Sequence, residues 1–446
     1  MKKWLALLLV AFILFSFVAC DDAANNSSNG GNSGSGGSKN AVLPPAEAVD
    51  TSGDISSETV QLHVIQVMAK GKNSDSGELF SMDKFIAGKS TVVVARFADA
   101  REIPQDGSLT LSVTRDGNEL LELLPLHGGE SLAAMFVPRD IKDLNSWEEG
   151  VYKFALNEGG STVASRSARF SKAKSIKVLA VPVIANYGGE AVSCEGEWKT
   201  GLQMTQDTYP LADNGIEIVF GSELDLSDNK YDLKTQEGMY ETWQALANLQ
   251  TKNNDYELVL GYVRNRQGED GGTQGYTYGL PANIITESDG DMRPTVAHEI
   301  AHCYNIGDEY DGGTLNYRVN PAPFGMEGSD WKDREKTVAS QKQAVKRVES
   351  HSGSLISSDE QMPFNVRTME ALGDVGSWMG SGSENENDYW ITSDIWNHLF
   401  SAFVYNDPNV EPYGDDGGNT QKNDPDVPPK NEEENNETGG EEQEEE

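Results

Sequence analysis

The spacing of apolar positions divides the 446-residue chain into five stretches. An apolar run, WLALLLVAFILFSFV, fills positions 4–18. Residues 21–40, DDAANNSSNGGNSGSGGSKN, are too polar to bury a core and read as a flexible tether. From about Glu58 to Ala173 the apolar residues come in short, partly alternating runs: VQLHVIQVMA, STVVVARFA, SLTLSVTR, LLELLPL, AAMFVP, GVYKFALN and ASRSARFS. Turn signals such as Asp116-Gly117 and Glu158 to Gly160 separate them, so about seven short strands are predicted. After Ser175 the period changes. SIKVLAVPVIA, IEIVFGSEL and YELVLGYV read as buried strands, and GYTYGLPANIITES as an extended edge strand. Helical spacing places Met239, Trp243, Leu246 and Leu249 near one face. A weaker helix is predicted over Glu195 to Thr208, weakened by Gly196 and Gly201. Another begins at MRPTVAHEIAH with Pro294 in its first turn. The last stretch, with EEENNETGGEEQEEE, is an acidic tail whose plainest role is solubility and spacing.

The fold expected is multidomain: an all-β sandwich of immunoglobulin type over 54–173, then an α/β (α+β) domain over 174–405, with the tail at 406–446. The sandwich name is architectural, since no Cys–Trp–Cys core signature is present. His63 and His127 in that half are lone histidines and read as ordinary polar residues. Lys2 and Lys3 before the apolar run, and Ala19 after it, describe a secretory signal over 1–19. The run is short for a membrane span. Its ending, FVAC, resembles a bacterial lipobox, which implies a lipid on Cys20, a tether over 20–53 and a place in the bacterial cell envelope. Phe17 stands where that pattern most often has Leu, and simple secretion is the alternative. Charge removes one class of partner. With 35 Lys and Arg against 72 Asp and Glu the net charge is -37, which repels nucleic acid.

The chemistry is concentrated in HEIAH. His298 and His302, at i and i+4, project from one helical face. That spacing lets both imidazoles reach one Zn²⁺ at about 2.0–2.1 Å. Glu299, beside the first, can act as general base on a water that the metal acidifies. The alternative is an amphipathic helix whose histidines pack or face water. In HEIAHCYNIGD, Asp308 lies six positions beyond His302. This resembles the metzincin zinc-peptidase pattern HExxHxxGxxH/D, with Asn305 in place of Gly; Asn tolerates left-handed backbone better than most residues. The Asp variant is similar to the snapalysin-like family, and GDEY to a segment of the IgA-peptidase-type family. The resemblance implies Asp308 as third ligand, with Glu309 as rival and a distant residue such as His398 behind them. It also implies a methionine turn under the metal. SWMGSG, with Met379, resembles it, and Met326 in FGMEG competes; an ordinary core methionine is the plain reading of Met379. The resemblance also implies that the edge strand before the helix pairs with an extended peptide; a plain edge strand is the alternative. The span from Tyr310 to Met379 is an insertion that includes a charged helical stretch, DWKDREKTVASQKQAVKRVES.

Cys194 and Cys303 remain if Cys20 is lipidated, and an even pair in an exported protein invites a disulfide. Free buried thiols, or Cys194 holding the zinc in a latent state, are the alternatives. The acidic clusters DLSDNKYD and ESDGD match no complete calcium loop and read as solvated loops. Three functions are therefore in play. The first is a monomeric lipid-anchored zinc endopeptidase acting on protein or peptide substrates. The second is an adhesin-like binding lipoprotein with a structural zinc. The third is a zinc amidase acting on cell-wall peptides.

Overall fold

In a computed structural model of the chain, the structure describes residues 49–72, 77–138, 147–194, 197–252, 255–264, 274–277, 282–285, 292–304, 306, 355–380 and 389–405. The expected sites Cys20, Asp308, Glu309 and Met326 lie outside them, as do the inserted helical stretch and the acidic tail. The described part is mostly β-sheet with few helices.

The first half holds ten strands: β1 (Val60–Ile65), β2 (Lys70–Lys72), β3 (Leu79–Ser81), β4 (Lys84–Ile86), β5 (Val92–Ile103), β6 (Leu109–Arg115), β7 (Asn118–Leu123), β8 (Gly129–Phe136), β9 (Gly150–Glu158) and β10 (Ser161–Ser171). They form a three-stranded sheet in the order β1-β5-β8, a five-stranded sheet in the order β4-β10-β9-β6-β7, and the hairpin β2-β3. The inner residues of both larger sheets meet in one core. Val93, Ala95 and Phe136 from the first join Leu111, Phe154 and Phe170 from the second. Trp147 fills the space between them, stacked on Phe170 at 5.8 Å and edge-on to Tyr152 at 5.6 Å. The run VQLHVIQVMA is broken at Gln66, because its buried side chain serves other backbone. Gln66 Nε2 donates to Ile86 O at 2.8 Å, and Ile86 N donates back to Gln66 Oε1 at 2.9 Å. A buried amide must be satisfied, and here this outweighs continuing the ladder.

The second half is built on a mixed sheet. Its strands are β11 (Ile176–Asn186), β12 (Ala191–Val192), β13 (Ile216–Phe220), β14 (Leu224–Asp225), β15 (Leu258–Tyr262), β16 (Gly275–Thr277) and β17 (Ala282–Ile285). β11, β13, β15 and β17 run parallel, and β16 closes one edge antiparallel to β17. The segment expected as one long edge strand is therefore two strands folded back on each other, with Gly275 opposite Ile285 and Thr277 opposite Asn283. The sequence GLP between them does not suit a continuous ladder. The helices are α1 (Gln203–Thr208), α2 (Gln236–Lys252), α3 (Met292–His302) and α4 (Ser393–Phe400). β15 is buried throughout because both faces are covered. Val259 and Ile284 pack in the cluster that holds α2, while Leu258, Leu260 and Ile285 pack in the cluster that holds α3. The helix expected over Glu195 to Thr208 is a 3-10 turn at Glu197–Thr200 followed by α1. Gly201 separates them where a Cβ would meet Tyr262 Oη at 2.9 Å and Val296 Cγ2 at 3.0 Å.

The final strands are β18 (Leu355–Ile356), β19 (Phe364–Asn365), β20 (Glu370–Ala371), β21 (Val375–Ser377) and β22 (Tyr389–Trp390). DYWITSDIWNHLF is thus a short strand followed by α4, which Thr392 caps by accepting from Ile395 N. These last elements return to the first half. Trp390 Nε1 donates to Val67 O at 2.7 Å, Trp396 Nε1 donates to Lys84 O at 3.2 Å, and Lys72 N donates to Ser393 Oγ at 3.0 Å. The core does not break at the domain boundary expected at 173: Phe170, Ile176, Tyr209, Val296 and Phe403 belong to one cluster. No helix among the described residues is long and apolar enough to cross a membrane.

Candidate metal centre

α3 presents two faces. Val296, Ala297, Ile300 and Ala301 are buried in the core, and this fixes the rotation of the helix. His298 and His302 then share the other face, one turn apart, with ring centroids 4.6 Å apart and planes at 86°. The ligating atoms of His298, Glu299 and His302 all lie within 4.8 Å of one another. Among the described residues this is the group of three or more His, Cys, Asp or Glu side chains able to hold a metal ion.

Each imidazole is oriented by the main chain. His298 Nδ1 lies 2.9 Å from Trp378 O, and His302 Nδ1 lies 2.7 Å from Ile306 O. A carbonyl only accepts, so each Nδ1 carries the hydrogen and the ring lone pair falls on Nε2. This is how imidazoles are commonly set for a metal, with the second nitrogen fixing tautomer and direction. The carbonyl of Ile306 is in reach because the helix ends at His302. Cys303 N, Tyr304 N and Ile306 N then bond back to Ile300 O, Ala301 O and Ala301 O.

Trp378, whose carbonyl meets His298, is followed by Met379. Met379 is fully buried, and its N donates to Ser377 Oγ at 3.2 Å. Gly380 N closes the turn on Ser377 O at 2.9 Å. Tyr209 braces Trp378 and the residue that precedes His298. Its ring stacks on Trp378 at 5.7 Å and 15°, and its hydroxyl donates to Ala297 O at 2.6 Å. Burial holds the Tyr209 hydroxyl well above its ordinary pKa, so it stays a donor. The resemblance singles out Met379 but neither Trp378 nor Tyr209. The contribution of Trp378 is a carbonyl, which any residue type supplies.

Glu299 is 4% exposed and lies against the backbone of β16. A Cβ on Gly275 would stand 2.7 Å from Glu299 Cγ and 2.8 Å from Oε1, so bare backbone is what admits the carboxylate. His398, weighed as a distant ligand, is outside the converging group, and its Nε2 lies 2.8 Å from Tyr304 O. Cys194 and Cys303 are both free thiols, and the expected bridge is not formed. Their partners differ. Cys303 Sγ donates to Asn283 Oδ1 at 3.0 Å, whereas Cys194 is near the charges of Arg264 and Glu223. Burial pushes the Cys303 thiol up to about 12 and the Cys194 thiol up to about 11, with Arg264 opposing in the latter case. His127 is exposed and His63 is buried in the first half. No protein-family model matches the chain, and no curated protein matches it in sequence.

Proposed function

We propose that the chain is an exported, lipid-anchored zinc endopeptidase of metzincin type. The observation that carries the reading is the pair of imidazoles on α3, each tied through Nδ1 to a main-chain carbonyl, with the Glu299 carboxyl beside them. Two imidazoles aimed by backbone, with a carboxylate as third ligand, are a donor set suited to zinc in a catalytic site. His298, His302 and Asp308 would hold one zinc ion, and Met379 would form the floor of the site. Zinc, when bound, polarises the scissile carbonyl and acidifies the attacking water.

The chain's own residues do the rest. Glu299 takes a proton from the attacking water and delivers it to the leaving amine. Its burial keeps that proton from bulk water between the two transfers. β16, last in the order of the mixed sheet, offers backbone to which an extended substrate adds as a further strand. That pairing favours peptides over other acyl compounds. The first half, as an immunoglobulin-like sandwich, carries this site on a rigid base through the Trp390 and Trp396 hydrogen bonds. A lipid on Cys20 and the polar tether would hold the enzyme, as a monomer, at the bacterial envelope.

The test compares wild type with Glu299→Ala in the full chain. Zinc content and cleavage of a mixed peptide library are recorded for each. Wild type should hold about one zinc and cut, and the variant should keep zinc and lose several orders of magnitude in kcat. Zinc in both with no cleavage by either would favour the binding lipoprotein, and release of muropeptides alone would favour the amidase.

A further inference from the structure

The first half contains a cavity of about 490 Å³ between β1, β3 and β10. None of its lining residues belongs to the His298 site. Its wall holds His63, Lys70 and Arg166, a basic group in a chain of net charge -37. His63 is 3% exposed, and neither ring nitrogen has a hydrogen-bond partner among the described residues. Arg166 Nη2 donates to Met82 O, while its Nη1 is buried and likewise without a partner. Buried donors left unpaired cost free energy, and such groups are satisfied in most proteins. Here two residues leave them unpaired around one opening.

We propose that this cavity binds the carboxylate of a small organic monoanion bearing an apolar group. Arg166, Lys70 and His63 in its wall carry the donors for it. One guanidinium nitrogen is already committed to Met82, so the contact is single rather than a bidentate fork. The charge balance sets the ligand charge. Arg166 and Lys70 are positive, with Arg96 near His63, and Asp54 and Asp83 lie near Arg166. Asp54 accepts from Ser167 N and Oγ at 2.8 and 2.7 Å. The surplus is about one positive charge, enough for a carboxylate and too little for a phosphate dianion. Burial and the three neighbouring cations also hold the imidazole pKa down to about 4, so His63 supplies a neutral donor rather than a further charge. The apolar part of the ligand is read from the wall. Ile55 and Leu79 are 43% and 41% exposed, and both line the opening. Exposed large apolar side chains beside convergent polar groups mark a ligand site.

The probe is N-acetyl-leucine, titrated into the full chain by calorimetry and by the His63 imidazole resonances. N-acetyl-leucinamide and inorganic phosphate are the comparisons. The carboxylate should bind saturably and shift the His63 signals, and the amide should bind at least about tenfold more weakly. Arg166→Met and the less buried Lys70→Met should each weaken binding by at least about tenfold, at unchanged melting temperature for Lys70→Met. Four results would each overturn the proposal: no saturable binding, equal binding of acid and amide, Lys70→Met binding as wild type does, or phosphate binding tighter than the carboxylate.

Discussion

Gly275→Ala is the substitution that most sharply separates catalysis from folding at this site. The added Cβ would stand 2.7 Å from Glu299 Cγ, 2.8 Å from Oε1 and 3.0 Å from Cδ. Ordinary carbon contacts lie at about 3.5–4.0 Å, so the Glu299 side chain must retreat by about 1 Å. The backbone of β16 needs no positive φ at Gly275, so alanine is locally compatible there. Overpacking costs about 1–3 kcal/mol, and the stiffer unfolded chain offsets about 0.5 kcal/mol of that. A general base misplaced by about 1 Å costs about 10²-fold in rate. The variant should therefore keep its zinc, melt a few degrees lower and lose about 10²-fold in kcat on a cleaved peptide. Gly261→Ala is the control. Its Cβ would meet Leu246 Cδ1 at 2.3 Å beneath α2, so it should lower stability and leave kcat per folded molecule unchanged. If Gly275→Ala cuts within about threefold of wild type, Glu299 is not the base that β16 positions.

Further outcomes follow from the buried ionisable groups. With Cys303 pushed up to about 12 and Cys194 to about 11, both thiols stay protonated at pH 8. A thiol reagent should label them slowly in the native protein and rapidly in denaturant; a chain with no titratable thiols in denaturant would show that they pair on export. Lys89 is 2% exposed and donates to Gln206 O at 3.0 Å, and burial lowers it to about 8 against the attraction of Asp213 and Asp207. The unfolded chain, at 10.5, then binds the proton that the folded chain has released. Stability should rise with pH between about 8 and 10.5, by about 3 kcal/mol relative to Lys89→Met, and stay level below pH 8, where both states hold the proton. Parallel denaturation curves for the two proteins across that window would refute the burial of a depressed lysine.

What the sequence makes legible is local. His298 and His302 reach one face because four residues on a helix make about one turn, and no distant contact is needed for that. β15 and β11 were legible as buried strands because both their faces meet helices or a second core. The supports of the site were not, since they come from remote chain. Trp378 lends His298 a carbonyl from 80 positions away, and Tyr209 braces Trp378 and Ala297 from the end of α1. Neither relation leaves a periodic trace. The break of the first strand at Gln66 and the turn-back between β16 and β17 were missed for the same kind of reason. In each, apolar content suggested one continuous strand, and buried hydrogen bonding or a Gly-Leu-Pro sequence decided otherwise. The domain boundary at 173 reads cleanly as a change of period, yet the packed core runs through it.

The central claim is that His298 and His302 bind zinc through the nitrogens opposite their carbonyl-bonded ones. Crystals grown with zinc and measured at the zinc absorption edge test it directly. The account predicts one strong anomalous peak at about 2.0–2.1 Å from both Nε2 atoms, lost in His302→Ala. A peak elsewhere, or none at saturating zinc, would contradict it.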